Sequence, residues 1–156
     1  MLDANPYKTP VKIFWKKLHP AAQIPKVASS GAACFDLCYA GDSDFILEVG
    51  QILTIPTGLA CEIPQGFELQ VRARSGLSLK AGLFLVNGIG TIDSDYRGEI
   101  KVIACILGKN PLVIKPGDRI AQALVSAVPQ VVHFESAELS TTERGSGGFG
   151  STGISK

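Results

Sequence analysis

Arg74-Ser75-Gly76 is a short group of residues that could bind an anion, because it lies where an apolar alternating segment ends and a run of helix formers begins. A serine hydroxyl, the free N–H groups of a first helical turn and an arginine side chain can converge on a phosphate. The alternative is an ordinary helix N-cap beside a solvated arginine. The residue types therefore indicate a candidate phosphate site.

A second group combines acidic and aromatic side chains after the turn-forming segment 87–90, Asn-Gly-Ile-Gly. It suggests a hairpin whose tip or descending strand presents Asp93, Asp95 and Tyr96. If both aspartates lie on a strand, they point to opposite faces, so one of them alone would be catalytic. The alternative is a solvated turn.

Two further segments offer polar groups to a ligand. After Pro116, the side chains of Asp118 and Arg119 could pair locally, and the amide of Gln122 could donate to a ligand oxygen. The segment 143–153 holds five of the 17 glycines in the chain, which is typical of a flexible tail. The single arginine and phenylalanine among these glycines suit a loop that clamps a phosphate and stacks on a base.

The elements that must position these groups belong to one domain, because the chain has 156 residues and a mass of 16.5 kDa. A hydrophobic content of 46% argues against disorder, and a net charge of +1 argues against bulk nucleic-acid binding. No apolar run is long enough for a bilayer, and we see no targeting segment. We therefore expect an intracellular protein of the cytoplasm, the nucleus or both, with no membrane contact and no direct nucleic-acid binding.

The four cysteines, Cys34, Cys38, Cys61 and Cys105, lie in apolar or alternating segments. A chain of this length folds without crosslinks, and the Cys34-x3-Cys38 spacing lacks the second pair of ligands that a zinc site needs. We expect reduced and mostly buried thiols.

Glycine and proline occur every eight to twelve residues, and the segments between them alternate or are short and β-branched. This pattern is typical of an all-β sandwich or barrel, and it suggests two packed sheets. The predicted strands are Val11–Leu18, Cys34–Ala40, Gln51–Ile55, Leu59–Ile63, Phe67–Arg72, Leu83–Val86, Glu99–Leu107, Pro111–Ile114 and Arg119–Val128.

One segment predicts a helix of one to two turns. Ser75–Gly82 begins with a serine in N-cap position, continues with helix formers and ends at a glycine that can adopt the left-handed stop. We expect a β domain over residues 1–143 and a flexible Gly-rich arm over residues 144–156.

These segments, in this order, resemble the five motifs of the trimeric dUTPase family. The matching segments are Gly31-Ala-Ala-Cys-Phe-Asp-Leu37, Arg74-Ser-Gly-Leu-Ser-Leu-Lys80, Gly90-Thr-Ile-Asp-Ser-Asp-Tyr-Arg-Gly98, Pro116-Gly-Asp-Arg-Ile-Ala-Gln122 and Arg144-Gly-Ser-Gly-Gly-Phe-Gly-Ser-Thr-Gly153. Five ordered motifs over nearly the whole chain make a chance match implausible.

The resemblance implies a jelly-roll-like β-sandwich or barrel subunit in a homotrimer, whose shared active sites hydrolyse dUTP to dUMP and pyrophosphate with Mg²⁺. It implies that Asp93 is the general base, and that Asp36 supports the metal through its water shell, the ion being held mainly by the substrate phosphates. It gives substrate-binding roles to Arg74, Ser75, Gly76 and Gln122 (phosphates), Asn87 and Gly90 (uracil), Tyr96 (deoxyribose), and Arg144, Phe149, Gly150, Ser151 and Thr152 (closing arm).

The sequence departs from the family pattern at Cys34, Phe35, Ser78 and Ile106, none of which is a catalytic position. Two alternatives to dUTP hydrolysis are a dCTP deaminase of the same fold and a nucleotide-responsive regulatory protein on a dUTPase scaffold. The Asp in the third motif and the complete arm favour the hydrolase.

Overall fold

A computed structural model describes residues 10–149 of the chain. It contains eleven strands and one short helix, and most connections are tight turns. The elements are β1 (Phe14–Lys17), β2 (Phe35–Cys38), β3 (Phe45–Leu47), β4 (Leu53–Pro56), β5 (Leu59–Glu62), β6 (Phe67–Arg72), α1 (Ser75–Ala81), β7 (Leu83–Leu85), β8 (Gly90–Ile92), β9 (Lys101–Ile106), β10 (Leu112–Ile114) and β11 (Arg119–Ala127).

Hydrogen bonding divides these strands into four small antiparallel sheets, where the sequence suggests two. The sheets have the orders β2-β11-β6-β8, β4-β9-β7, β1-β5 and β10-β3. In the largest sheet, Gln122 of β11 stands opposite Asp36 of β2 on one side and Arg72 of β6 on the other. Cross-strand partners share a face, so this register gathers polar groups that are far apart in the sequence.

The core lies between the inner faces of these sheets and is built from alternating apolar positions. Fully buried side chains include Leu37 of β2, Leu69 of β6, Val102 of β9 and Ile120 of β11. The central strands therefore have fixed register, because a slip of one residue would place apolar side chains on the outer face.

Two short strands are missed by the sequence prediction. β3 has three residues and lies between polar turn-forming segments, while β8 begins at Gly90 and looks like part of a turn. β1 and β9 are shorter than predicted. β7 and β10 are equally short and are predicted, so β3 and β8 are hidden by the turn-forming residues beside them and not by their length.

The predicted helix is confirmed, but its first residue is not the N-cap. Arg74 is the N-cap with extended backbone angles, and Ser75 is the first helical residue. The Arg74 carbonyl accepts the N–H groups of Leu77 and Ser78, while its side chain turns away to an acidic partner. The helix ends at Gly82 in the left-handed conformation, as predicted.

The thiols differ from the expectation. All four cysteines are free, but only Cys61 and Cys105 are buried, while Cys34 and Cys38 are half-exposed. They lie on or beside β2, and Cys38 lines an open pocket together with Asp36, Arg119 and the segment 23–26. Separately, no helix in the described range is long and apolar enough to cross a membrane.

Candidate active site

A pocket of about 290 Å³ opens between β8, β9 and the turns on either side of β8. It is lined by Thr54, Val71, Leu85, Asn87, Gly90, Thr91, Ile92, Asp93, Tyr96, Lys101, Val102 and Ile103. Four of these residues, Asn87, Gly90, Asp93 and Tyr96, are predicted from the sequence. The structure therefore brings together the proposed base and nucleoside-reading groups.

The turn before β8 shapes one wall of this pocket. Gly88 has a φ of 69°, a left-handed conformation that glycine adopts without strain, and its N–H donates to the Leu85 carbonyl at 2.9 Å. A Cβ on Gly90 would lie 3.2 Å from the Val71 Cβ and 3.3 Å from the Asn87 Nδ2. The bare backbone at Gly90 therefore allows the Asn87 amide to approach closely.

Asp93 and Asp95 follow β8 on a turn, where both are exposed. The turn is closed by the N–H of Tyr96, which donates to the Asp93 carbonyl at 3.2 Å. Asp93 lines the nucleoside pocket and Asp95 does not. The two aspartates do not lie on a strand, so strand alternation does not separate them, and only the turn decides which one borders the pocket.

A cluster of ion pairs, a candidate anion site, joins Asp36 of β2, Arg74 after β6 and Arg119 of β11. The Arg74 Nε lies 2.8 Å from Asp36 Oδ1, and the Arg119 Nη1 lies 3.2 Å from Asp36 Oδ2. Arg74 also donates to the Arg119 carbonyl at 2.9 Å. One carboxylate thus holds two guanidinium groups side by side, which fixes their directions and leaves their remaining N–H groups for a ligand.

Gln122 lies beside this cluster, and its Nε2 donates to the Ala73 carbonyl at 2.8 Å. The exposed Ser75 and Gly76 follow on the first turn of α1. The first N–H groups of a helix have no partner inside the helix, so they can serve a ligand oxygen.

The predicted local pair of Asp118 and Arg119 is wrong. The Asp118 carboxylate accepts the N–H of Lys115 at 2.8 Å, whereas Arg119 reaches across to Asp36. The tight turn after Pro116 directs the Asp118 carboxylate toward the backbone of its own loop. Arg119 is thus a candidate anion-binding residue that the sequence prediction missed.

Asp36 also affects its neighbour on β2. Burial raises the pKa of the Cys38 thiol, and the Asp36 carboxylate raises it further, although Arg119 and Arg74 oppose the shift. The thiol is therefore protonated near neutral pH and is a poor nucleophile there.

The glycine-rich segment begins with a compact turn. The Arg144 Nε donates to the Gly147 carbonyl at 2.9 Å, and Phe149 is fully exposed with a φ of 50°. Neither residue lines the nucleoside pocket. The predicted arm residues Gly150, Ser151 and Thr152 lie outside the described residues.

Within one chain, the candidate residues therefore form separate groups. None of Arg74, Ser75, Gly76 and Gln122 lines the pocket that holds Asp93. Thr54, Lys101 and Ile103 line that pocket and are missed by the sequence prediction, because only the pairing of β4 with β9 reveals their position.

No group of three or more His, Cys, Asp or Glu side chains within residues 10–149 is arranged to hold a metal ion. A carboxylate has about four acceptor positions, and Asp36 uses two of them for Arg74 and Arg119. The chemistry of this donor set fits a hydrated cation that is held mainly by a ligand's phosphates and touches the protein through water.

Comparisons with known proteins identify the family of this chain. A dUTPase family model matches residues 21–153. The deoxyuridine 5'-triphosphate nucleotidohydrolase of Wolinella succinogenes is 52% identical over 145 residues, which are 93% of this chain and 96% of that protein.

Among solved structures, the dUTPase of Staphylococcus bacteriophage 80alpha with dUPNHPP superposes with a TM-score of 0.83 at 24% identity, covering 92% of this chain and 99% of that one. A mutant dUTPase from phage phi11 of S. aureus, which coordinates a structural Mg(II) ion, has a TM-score of 0.73 at 21% identity, covering 81% and 97%. These likenesses show the jelly-roll fold. Together with the family model and the close relative, they establish that the chain belongs to the dUTPase family.

Proposed function

We propose that this protein hydrolyses dUTP to dUMP and pyrophosphate in a homotrimer, with Asp93 as the general base. The observation that supports this best is that Asp93 lines the same pocket as Asn87, Gly90 and Tyr96. The pocket is of a size for a nucleoside, and Asp93, an exposed residue, is the one aspartate among its lining residues.

The uracil ring is read by Asn87 and by the backbone around Gly90. Backbone and amide groups offer a fixed set of donors and acceptors, and a cytosine would leave some of them unpaired. An unpaired buried polar group costs about 1–3 kcal/mol, which is enough to reject the wrong base. Tyr96 packs against the deoxyribose, where the ring leaves no room for a 2′-hydroxyl.

In the hydrolytic step, Asp93 takes a proton from a water molecule as the water oxygen attacks the α-phosphorus. The bond from the α-phosphorus to the bridging oxygen of the β-phosphate breaks, and pyrophosphate leaves with the electron pair. The chain contributes positioning and charge, which phosphoryl chemistry needs more than covalent help.

The triphosphate is held by Arg74, Ser75, Gly76 and Gln122, joined by Arg119. The Asp36 carboxylate holds both Arg74 and Arg119 before the ligand arrives, so less side-chain entropy is lost on binding. Arg144 and Phe149 come from the arm over residues 144–156, with Gly150, Ser151 and Thr152 completing its contacts, while residues 1–143 form the β domain.

The dUTPase family generally uses Mg²⁺. When bound, this ion neutralises phosphate charge. Asp36 would contact the ion through its water shell. Oxygen atoms of the substrate phosphates would be the direct ligands of the ion.

The separation of the two groups of residues within one chain supports a shared site. Asp93 and the nucleoside pocket would come from one subunit, and the Arg74 cluster from another. The protein would need no partner other than its own copies and the nucleotide.

The test is pyrophosphate release from purified protein given dUTP, dCTP, dTTP or UTP with Mg²⁺. We expect turnover of dUTP to exceed the others by several orders of magnitude. Release of ammonia from dCTP would support the deaminase alternative, and tight dUTP binding without turnover would support the regulatory one.

A further inference from the structure

The turn between β4 and β5 is unusually well anchored. Thr57 is fully buried, and it is the one buried polar side chain among the described residues. Its Oγ1 donates to the Ile100 carbonyl at 2.6 Å and accepts the N–H of Leu59 at 3.3 Å. The N–H of Ile100 donates to the Leu59 carbonyl at 2.8 Å. These bonds fasten the segment before β9 to the turn.

Gly58 makes this turn rigid. Its φ is 63°, and a Cβ there would lie 2.7 Å from the His19 Cβ and 2.9 Å from the Ala40 Cβ. The Gly58 carbonyl also accepts the N–H of Leu18 at 2.7 Å. The neighbouring side chains leave no room for a Cβ here, and the bond from Leu18 holds the Gly58 peptide, so the Gly58 N–H is a well-positioned, fixed donor.

Glu99 connects this fixed donor to the nucleoside pocket. Its Oε1 accepts the Gly58 N–H at 2.9 Å, and its Oε2 lies 3.5 Å from the Lys101 Nζ. The backbone carbonyl of Glu99 accepts the Tyr96 hydroxyl at 3.0 Å. Glu99 itself is not among the residues that line the pocket, whereas Tyr96 and Lys101 are.

Within the described residues, the Tyr96 side chain makes one hydrogen bond, the one from its hydroxyl to the Glu99 carbonyl. The residue is 44% exposed, and its phenol end lies so close over Gly98 that a Cβ on Gly98 would collide with it. The position of the ring therefore depends on where the backbone of residues 98–99 lies. That backbone is held by the Glu99 carboxylate on one side and by the bonds of Ile100 on the other.

We propose that Glu99 is a positioning residue that, from its anchor on Gly58, fixes Tyr96 and thereby sets the discrimination between 2′-deoxyribose and ribose. This inference rests on the proposed function, in which Tyr96 packs against the sugar. A Tyr96 ring that can move away from the sugar leaves space for a 2′-hydroxyl. Removing the Glu99 carboxylate should therefore lower the selectivity for dUTP over UTP. Residue Ile100 keeps its own bonds to the turn, and so the fold should survive the loss of the carboxylate.

The experiment compares kcat/KM for dUTP and UTP in the parent protein, Glu99→Ala, Glu99→Gln and Tyr96→Phe. Glu48→Ala, at an exposed carboxylate away from the pocket, is the matched control. We expect Glu99→Ala to lower the ratio of dUTP to UTP about tenfold, since small displacements of a positioning group have effects of this order or more. The affinities for dUMP and UMP, measured by calorimetry, should converge in the same variant, which gives a readout without turnover.

Glu99→Gln keeps an oxygen that can accept the Gly58 N–H, so it should retain the parent ratio of dUTP to UTP within about threefold. If the negative charge of Glu99 were what matters, this variant would behave like Glu99→Ala. Tyr96→Phe removes the hydroxyl and should also lower the ratio of dUTP to UTP. The double variant Tyr96→Phe/Glu99→Ala should show little further loss, because the two residues act through the same contact. Thermal unfolding and trimer mass identify any variant that fails to fold.

If Glu99→Ala has the same ratio of dUTP to UTP as the parent protein, or if Glu48→Ala changes the ratio equally, the role of Glu99 is overturned. The proposed function is unaffected by either result. A parent protein that does not hydrolyse dUTP would overturn the proposed function and this inference with it.

Discussion

Asp93 is distinguished from Asp95 by position alone. Both carboxylates are exposed on one turn, and only Asp93 lines the pocket. We predict that Asp93→Asn lowers kcat by at least about 10³-fold, because the amide is nearly isosteric but cannot take the proton from water. The affinity for a non-hydrolysable dUTP analogue should change less than about fivefold. Asp95→Asn is the matched control and should keep near-parent kcat; robust turnover by the Asp93 variant would remove this residue from the base role.

Gly90 has little room for a side chain, because a Cβ there would lie 3.2 Å from Val71 and 3.3 Å from the Asn87 amide. We predict that Gly90→Ala raises KM for dUTP about tenfold or more by displacing the Asn87 amide, with a smaller effect on the free energy of unfolding of about 1–2 kcal/mol. Gly31→Ala is the control, because no heavy atom lies within 4 Å of the added Cβ. Steady-state kinetics and denaturant titration separate the two effects, and equal KM values in both variants would contradict the assignment.

At the scale of elements, alternation of apolar residues predicts the long strands well. β6 and β11 are found within a residue of their predicted bounds. β6 buries every second side chain at Leu69 and Val71, and β11 is a long apolar segment with three buried residues. β3 and β8 are missed because turn-forming residues adjoin them, whereas β7 and β10 are equally short and are predicted. The sequence pattern indicates most candidate site residues but not their grouping. The ion pairs of Asp36 with Arg74 and Arg119 depend on the register of β2 and β11, which no local pattern specifies.

The Gly-rich arm over residues 144–156 acts as one element in the proposed function. We predict that deleting residues 144–156 leaves the unfolding midpoint and the assembly unchanged, since Arg144 and Phe149 contribute nothing to the core, but lowers kcat/KM severely. Ordering the arm costs about 1–2 kcal/mol per residue, which ligand contacts must exceed. Arg144→Ala should lose more activity than Phe149→Ala, because stacking can be replaced by other packing whereas a bidentate charge cannot.

Limited proteolysis checks this directly. Cleavage after Arg144 should slow when the analogue and Mg²⁺ are present, and cleavage after an exposed lysine such as Lys109 should keep its rate. Equal rates after Arg144 in both conditions would show that the arm does not close.

For the whole molecule, the candidate site residues of one subunit lie in two separate places. The pocket that holds Asp93 is not lined by Arg74, Ser75, Gly76 or Gln122. Closed symmetry between copies can bring two such groups together at one interface. We therefore expect light scattering to give about three times the subunit mass of 16.5 kDa, and a fully active monomer would contradict the shared site.

Mixed trimers test which groups come from different subunits. Neither an Asp93→Asn chain nor a chain truncated after Leu139 should have appreciable activity by itself, because the first lacks the base and the second lacks the arm. If base and arm of one site come from different chains, random mixing in equal amounts restores both to about one site in four, since each is supplied with a probability of one half. If they come from the same chain, no mixed site is complete.

The measurement is dUTP hydrolysis after the two chains are unfolded together and refolded, and we expect about a quarter of the parent activity. Mixing the two folded homotrimers without refolding is the control and should stay inactive, because exchange requires dissociation. Pairing the Asp93→Asn chain with an Arg74→Ala chain extends the test to the phosphate cluster. Rescue there would assign Asp93 and the cluster around Asp36 to different subunits, as their separation in the single chain predicts, and absence of rescue would return both to one subunit.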